Sequence, residues 1–169
     1  MRKKTPVGRA DTLGTFYFDR VFPMGVEAML ETVDPVKAGK APRIEQDDSK
    51  ATYEGRCGPD NAKIHWGKPR EQIDRVIRGC NPASGVWATL DCKQLKIFDA
   101  KPLPAKDPKG IVGKLGEIVA AEADGFTLAC ADGRFKITCV QPADSTKINA
   151  GEFAAISKLA IRRGSHDVR

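Results

Sequence analysis

One set of side chains could form a nucleophile–base pair: His65 as general base, with Ser49, Cys80 or Ser84 as nucleophile. Such chemistry needs the base within hydrogen-bond reach and a third group to orient it. No G-x-S-x-G or comparable motif sets that geometry, so His65 reads as a structural residue at the approach to a helix. The five cysteines, 57, 80, 92, 130 and 139, contain no C-x-x-C pair. An odd count without metal spacing argues for reduced thiols in a cytoplasmic protein. Zinc is disfavoured, because His65 and His166 lie far apart and neither neighbours a cysteine pair. Lys109-Gly110-x-x-Gly113-Lys114 lacks P-loop spacing and a following Ser or Thr, and reads as a flexible basic hairpin. Trp66 and Trp87 could stack on bases, but their indole area suits packing in a small domain.

The elements that must position these residues follow from period and punctuation. Asp11 and Thr12 can cap a helix beginning near Leu13, with Phe16, Tyr17 and Val21 on its apolar face. Pro23 interrupts it and suits the first turn of a second helix running to Val33. Gly39–Asp48 has linker composition. Pro69, the row Ile73, Val76 and Ile77, and Gly79 mark a helix over 69–78. Alternation then predicts strands at Gly85–Leu90, Gln94–Ala100, Glu117–Glu122, Phe126–Ala131 and Phe135–Gln141. Ala123-Asp124-Gly125 and Asp132-Gly133 are hairpin turns, and Pro102–Gly116 is a long loop. Gly151–Leu159 suggests a last helix and Arg162–Arg169 a tail. Five short strands with such turns point to an α+β chain whose second part is an OB-like Greek-key barrel.

The chain has 169 residues, 41% hydrophobic and 30% charged, with a net charge of +6 and a pI near 9.1. These are globular values, and the basic balance is compatible with an RNA or phosphate partner. No apolar run has the length of a membrane span, and no apolar h-region follows Met1-Arg2-Lys3-Lys4. The expected location is the cytoplasm, with no membrane partner.

Three strings carry a resemblance: Ala62-Lys63-Ile64-x-Trp66-x-Lys68-Pro69, Ile73-x-Arg75-x-Ile77-Arg78, and Asn81-Pro82-x-x-Gly85-x-Trp87-x-Thr89. In this order they resemble the start of the C-terminal domain of methionyl-tRNA formyltransferase and its 10-formyltetrahydrofolate-dependent relatives. Cys130-Ala131-Asp132-Gly133-x-Phe135-Lys136-Ile137 is similar to the closing strands of that domain, and Lys147-x-x-Ala150-x-x-Phe153 to its terminal motif. Asp11-Thr12-x-Gly14-Thr15-x-Tyr17 resembles the last helices of the family's catalytic domain. The resemblance implies a division into terminal helices and linker over 1–45, the C-terminal domain over 46–160 and a tail over 161–169. Ala83-Ser84 stands where many tRNA formyltransferases have Trp-Pro, and Cys92 holds a turn position usually given to Gly. Tyr53-Glu54-Gly55 and Ile77-Arg78-Gly79 resemble instead the hydrolase domain of 10-formyltetrahydrofolate dehydrogenase.

The family's Asn-His-Asp catalytic set and its folate-binding residues have no counterpart here. The resemblance therefore implies no catalytic residue, no cofactor site and no activity of this chain alone, as in a C-terminal remnant or truncated reading frame. It does imply a positive surface for a tRNA acceptor arm. The candidates are Lys63, Lys68, Arg70, Arg75 and Arg78 around the helix, and Lys93, Lys96 and Lys101 along the first strands. Against this, Arg70–Asp74, Glu71–Arg75 and Asp74–Arg78 are i,i+4 pairs that would simply stabilise a solvated helix. The rival readings are a hydrolase-, dehydrogenase- or small-amine-type domain that binds no RNA, and a stand-alone interaction module. Phe16, Phe22, Met24 and Met29 are expected to leave an apolar patch. That patch calls for a catalytic-domain partner or self-association, or leaves the N-terminal helices disordered.

Overall fold

Thr12 starts the first helix, as its type predicts. In the computed structural model, which describes residues 3–82, 84–104 and 113–159, Thr12 Oγ1 accepts from the Thr15 amide at 3.1 Å. Thr15 Oγ1 accepts from the Thr12 amide at 3.0 Å in return, so two orphan amides are satisfied reciprocally. Asp11 does not share the capping. Its carboxylate receives both guanidinium nitrogens of Arg20, at 2.8 and 2.9 Å.

The helix does not break at Pro23. Helix α1 (Leu13–Phe16) passes through a π-helical turn (Tyr17–Val21) into α2 (Phe22–Lys37). The Phe22 amide reaches back to the Tyr17 carbonyl. This wider turn lies immediately before the proline ring, and Pro23 sits in the first turn of α2, where its missing N–H costs little. No residue of α1, the π turn or α2 is buried. Phe18, Phe22, Met29 and Leu30 are exposed, while Phe16 and Met24 are half-buried.

The chain divides into two compact units, Met1–Cys57 and Gly58–Arg169. In the second, helix α3 (Arg70–Gly79) is followed by β1 (Val86–Leu90), β2 (Lys93–Leu103), β3 (Ile118–Glu122), β4 (Gly125–Cys130) and β5 (Gly133–Pro142). A two-residue strand β6 (Ile148–Asn149) leads into α4 (Ala150–Ile156). All five expected strands are present and pair antiparallel, in the order β1-β2-β5-β4-β3, with β6 added to β5.

The expected OB-like barrel is not formed. A barrel needs the two edge strands of the sheet to pair. Among the described residues β3 pairs only β4, and β1 pairs only β2. The free edge of β1 is taken by the preceding segment instead: the Ile64 amide donates to the Trp87 carbonyl at 2.9 Å, in a parallel bridge between Lys63 and Trp87. Alternation and turn chemistry suit open and closed sheets equally. Closure depends on strand tilt and stagger, which neither signal carries.

The open sheet buries one face against α3 and α4. Phe126, Phe135, Ile97, Ile137, Val86, Val140 and Cys130 are fully buried there, with Ile73 and Ile77 of α3 and Ala150 and Ala154 of α4 in the same cluster. Asn149 caps α4 by accepting from the Gly151 and Glu152 amides at 2.7 and 3.3 Å. Gly151 packs so closely on the β3–β4 turn that a Cβ would run into the Ala123 carbonyl. Trp66 is buried in the core cluster, and Trp87 donates its indole N–H to the Pro59 carbonyl at 2.8 Å. Both tryptophans are packing residues.

Burial pushes the Cys130 thiol above its ordinary value of 9.0. The unfolded thiol therefore ionises first, and by linkage the unfolding free energy should fall as pH rises past about 9. Urea titrations from pH 8 to 10 should show a smaller alkaline decline for Cys130→Ala than for the unsubstituted chain.

Ala83, residues 105–112 (with Lys109 and Gly110 of the basic hairpin motif) and 160–169 (with the expected tail and His166) lie outside the described residues. No described helix is long and apolar enough to cross a membrane.

Candidate nucleic-acid interface

Helix α3 has few good reasons to be helical beyond its apolar row, since its N-cap residue Pro69 has no side chain to accept from the first turn. The missing cap comes from the β4–β5 turn. Asp132 Oδ1 accepts from the Arg70 amide at 2.7 Å, across 62 residues of sequence. The same oxygen lies 3.5 Å from Arg70 Nε, an ion pair without a well-formed hydrogen bond. Arg70 Nη1 donates to the Leu103 carbonyl at the end of β2. Gly133 makes room for this arrangement: a Cβ there would stand 2.8 Å from Arg70 Cδ. Asp132 is thus more than the hairpin-turn residue that its Asp-Gly dipeptide announces.

Asp132→Ala should lower the unfolding free energy by about 1–2 kcal/mol, the usual cost of a lost helix cap. The partly exposed ion pair adds little. Asp132→Asn, which keeps an acceptor for the Arg70 amide, should recover most of that in equilibrium urea unfolding.

The eight candidate cations separate into two groups. The arginines of α3 are committed within the molecule. Arg75 pairs with Glu71 at 2.6 Å and Arg78 with Asp74 at 2.8 Å, the two i,i+4 pairs that the spacing allows. Arg70 does not form the third pair with Asp74, because Asp132 and Leu103 hold it. Lys63 is half-buried, its Nζ 5.2 Å from the Trp87 ring centroid, and Lys68 is exposed.

The strand lysines are different. Lys93, Lys96 and Lys101 are exposed and have no carboxylate partner among the described residues. In a regular strand, positions 96 and 101 point to opposite faces. Here the β2–β5 register is irregular between Ile97 and Ala100, and the buried positions run Leu95, Ile97, Phe98 and Ala100. The alternation is reset, and both lysines are exposed. They stand about 16 Å apart along the strand. Lys96 is flanked by Trp87 on β1 and Gln141 on β5, and Lys101 faces Lys136 on β5. Lys136 itself is not offered to a ligand. Asp124 and Glu122 hold it at 2.7 and 2.6 Å and raise its pKa, chiefly through the Asp124 contact.

Among the described residues the expected nucleophile–base pair is not assembled. His65, Ser49 and Ser84 are exposed, Cys80 is buried, and no hydrogen bond links His65 to any of them. No group of His, Cys, Asp and Glu that could hold a metal ion occurs among the described residues.

The described residues of the second unit define a sheet-and-helix module with exposed lysines along β2. The chain belongs to the formyltransferase family: the model of the formyl transferase C-terminal domain matches residues 56–158. It is 33% identical to the methionyl-tRNA formyltransferase of Moorella thermoacetica over 142 residues, 84% of this chain and 44% of that enzyme. It is 34% identical to the cytosolic 10-formyltetrahydrofolate dehydrogenase of Xenopus laevis over 149 residues, 85% of this chain and 16% of that one. A structure of HypX from Aquifex aeolicus in complex with tetrahydrofolic acid has a TM-score of 0.70 at 18% identity, covering 89% of this chain and 26% of that one. That likeness concerns the fold. The chain spans less than half the length of the methionyl-tRNA formyltransferases it matches.

Proposed function

We propose that this chain is the substrate-handling region of a methionyl-tRNA formyltransferase-like protein. Its second unit would hold a tRNA acceptor arm, while formyl transfer from 10-formyltetrahydrofolate would take place on a separate catalytic domain. The observation that carries the reading is the group of exposed lysines on β2, Lys93, Lys96 and Lys101, which have no carboxylate partner among the described residues. Phosphate contacts of this kind give affinity without sequence information. Lys63 and Lys68 extend the candidate surface, and the α3 arginines support it only where their internal pairs open. The module's contribution to the reaction is positional, bringing an amine to a folate site that it does not itself contain.

A second reading has its own support: the dehydrogenase relative matches as large a share of the chain as the tRNA enzyme does. In that case the module orients a catalytic domain and binds no RNA. Binding of the purified chain to bulk tRNA across a salt series separates the two. Affinity that falls steeply with salt supports tRNA handling. Absence of binding at low salt overturns it in favour of the second reading.

A further inference from the structure

We propose that Arg70 is a positioning residue: it holds the Lys101 end of β2 in place for an RNA backbone and does not itself contact phosphate. The inference rests on the tRNA-handling reading and refines which cations of that surface touch RNA.

Three contacts on different elements converge on Arg70. Its amide is received by Asp132 in the β4–β5 turn, its Nε faces the same carboxylate, and its Nη1 donates to the Leu103 carbonyl. Leu103 is the last residue of β2, two positions beyond Lys101, and stands opposite Arg134 beside that turn. The residue thus ties the start of α3, the β4–β5 turn and the end of β2 together at one point. Its side chain is largely covered, with 24% of its area accessible, whereas Lys101 is exposed. A phosphate oxygen would have to compete with Asp132 for the guanidinium. Sharing the guanidinium with a carboxylate lowers its pull on a phosphate, a cost that the exposed Lys101, with no carboxylate partner among the described residues, does not incur. Freed from Arg70, the terminal residues of β2 lose a side-chain hydrogen bond that anchors them to α3, and Lys101 samples more positions. Ordering it on RNA would then cost entropy that the intact clasp has already removed.

The test compares the 169-residue chain with Lys101→Ala, Arg70→Met and Gly133→Ala in tRNA binding at several salt concentrations. Far-UV circular dichroism and amide hydrogen exchange follow the fold. Lys101→Ala should reduce the slope of log affinity against log salt by about one. Arg70→Met should weaken binding by roughly two- to tenfold at fixed salt, the cost of ordering one loosened side chain on RNA, with the slope unchanged. Gly133→Ala keeps the guanidinium charge but brings a methyl against Arg70 Cδ, and should reproduce the Arg70→Met loss. Both should speed exchange of the Ala100, Lys101 and Leu103 amides, Pro102 and Pro104 having none, while the spectrum stays native.

A slope reduced by about one in Arg70→Met would make Arg70 a phosphate contact and overturn the inference, as would unchanged exchange of the Ala100, Lys101 and Leu103 amides. Wild-type affinity in a folded Gly133→Ala chain would overturn it as well. Failure of the unsubstituted chain to bind tRNA would overturn the functional reading and this inference together, and is separate from the preceding results.

Discussion

With Lys93, Lys96 and Lys101 changed together to glutamine, tRNA binding at about 0.1 M salt is expected to fall by roughly two orders of magnitude. The size follows from counterion release. Each phosphate neutralised by a lysine contributes about 0.7–0.9 to the slope of log affinity against log salt. Three contacts therefore supply about 2–2.7 decades between 0.1 and 1 M. The substituted and unsubstituted chains should converge as salt approaches 1 M, where that advantage vanishes. Stability should change little, because all three side chains are exposed and none pairs with a carboxylate among the described residues. Filter binding or fluorescence anisotropy across a salt series measures the effect. Parallel affinity loss at all salt concentrations would show that the lysines act through shape and not through phosphate contact.

Phe135→Ala should be the most damaging of the substitutions considered for the fold, lowering the unfolding free energy by about 3–5 kcal/mol. Phe135 is completely buried on β5, opposite Leu128 of β4 and Pro102 of β2, so its ring lies in the middle of the sheet's covered face. Its neighbours belong to backbone ladders on both sides and cannot collapse into the space without breaking register. A cavity remains, and its lining loses dispersion contacts that no solvent replaces. Urea unfolding followed by tryptophan fluorescence reads the loss as a lower midpoint at similar slope, since Trp66 lies in the same core. A loss near 1 kcal/mol would mean that the site repacks, and that the core of this open sheet is softer than its burial indicates.

The N-terminal unit raises a different question. Tyr17, Val21, Phe22, Gly25, Val26, Met29 and Leu30 line an apolar groove on the outside of its long helix. Apolar faces of this kind mark interaction surfaces. The expected patch of Phe16, Phe22, Met24 and Met29 is met in part: Phe22 and Met29 line the groove, while Phe16 and Met24 are half-buried and are not among its lining residues. The continuity of the helix through Pro23 was not foreseeable. It depends on the wider turn at Tyr17–Val21, a backbone adjustment that leaves no mark in residue type.

Much of the second unit could be read directly. Period-two alternation and turn signals located the five main strands to within about three residues at either end, although β4 is buried at every position. The Asp-Gly and Ala-Asp-Gly turns, and the helix of Ile73 and Ile77, depend equally on local chemistry. The family, too, was legible, since a fixed order of short motifs survives without any knowledge of how they meet in space.

Three matters were settled only by tertiary structure. Whether the strands close into a barrel is decided by which edges find a partner. Here the Lys63–Ile64 segment occupies the edge of β1. The fate of Arg70 was equally invisible: an Asp74 four residues away and an Asp132 sixty-two away look unequal in sequence, yet the fold delivers the distant one. Lys96 and Lys101, five apart, would belong to opposite faces of an ideal strand. The irregular register between Ile97 and Ala100 leaves both exposed. Residue type and spacing determine what each segment can form and which charges exist. The meeting of segments distant in the chain determines which charges are consumed inside the molecule and which remain to meet a partner.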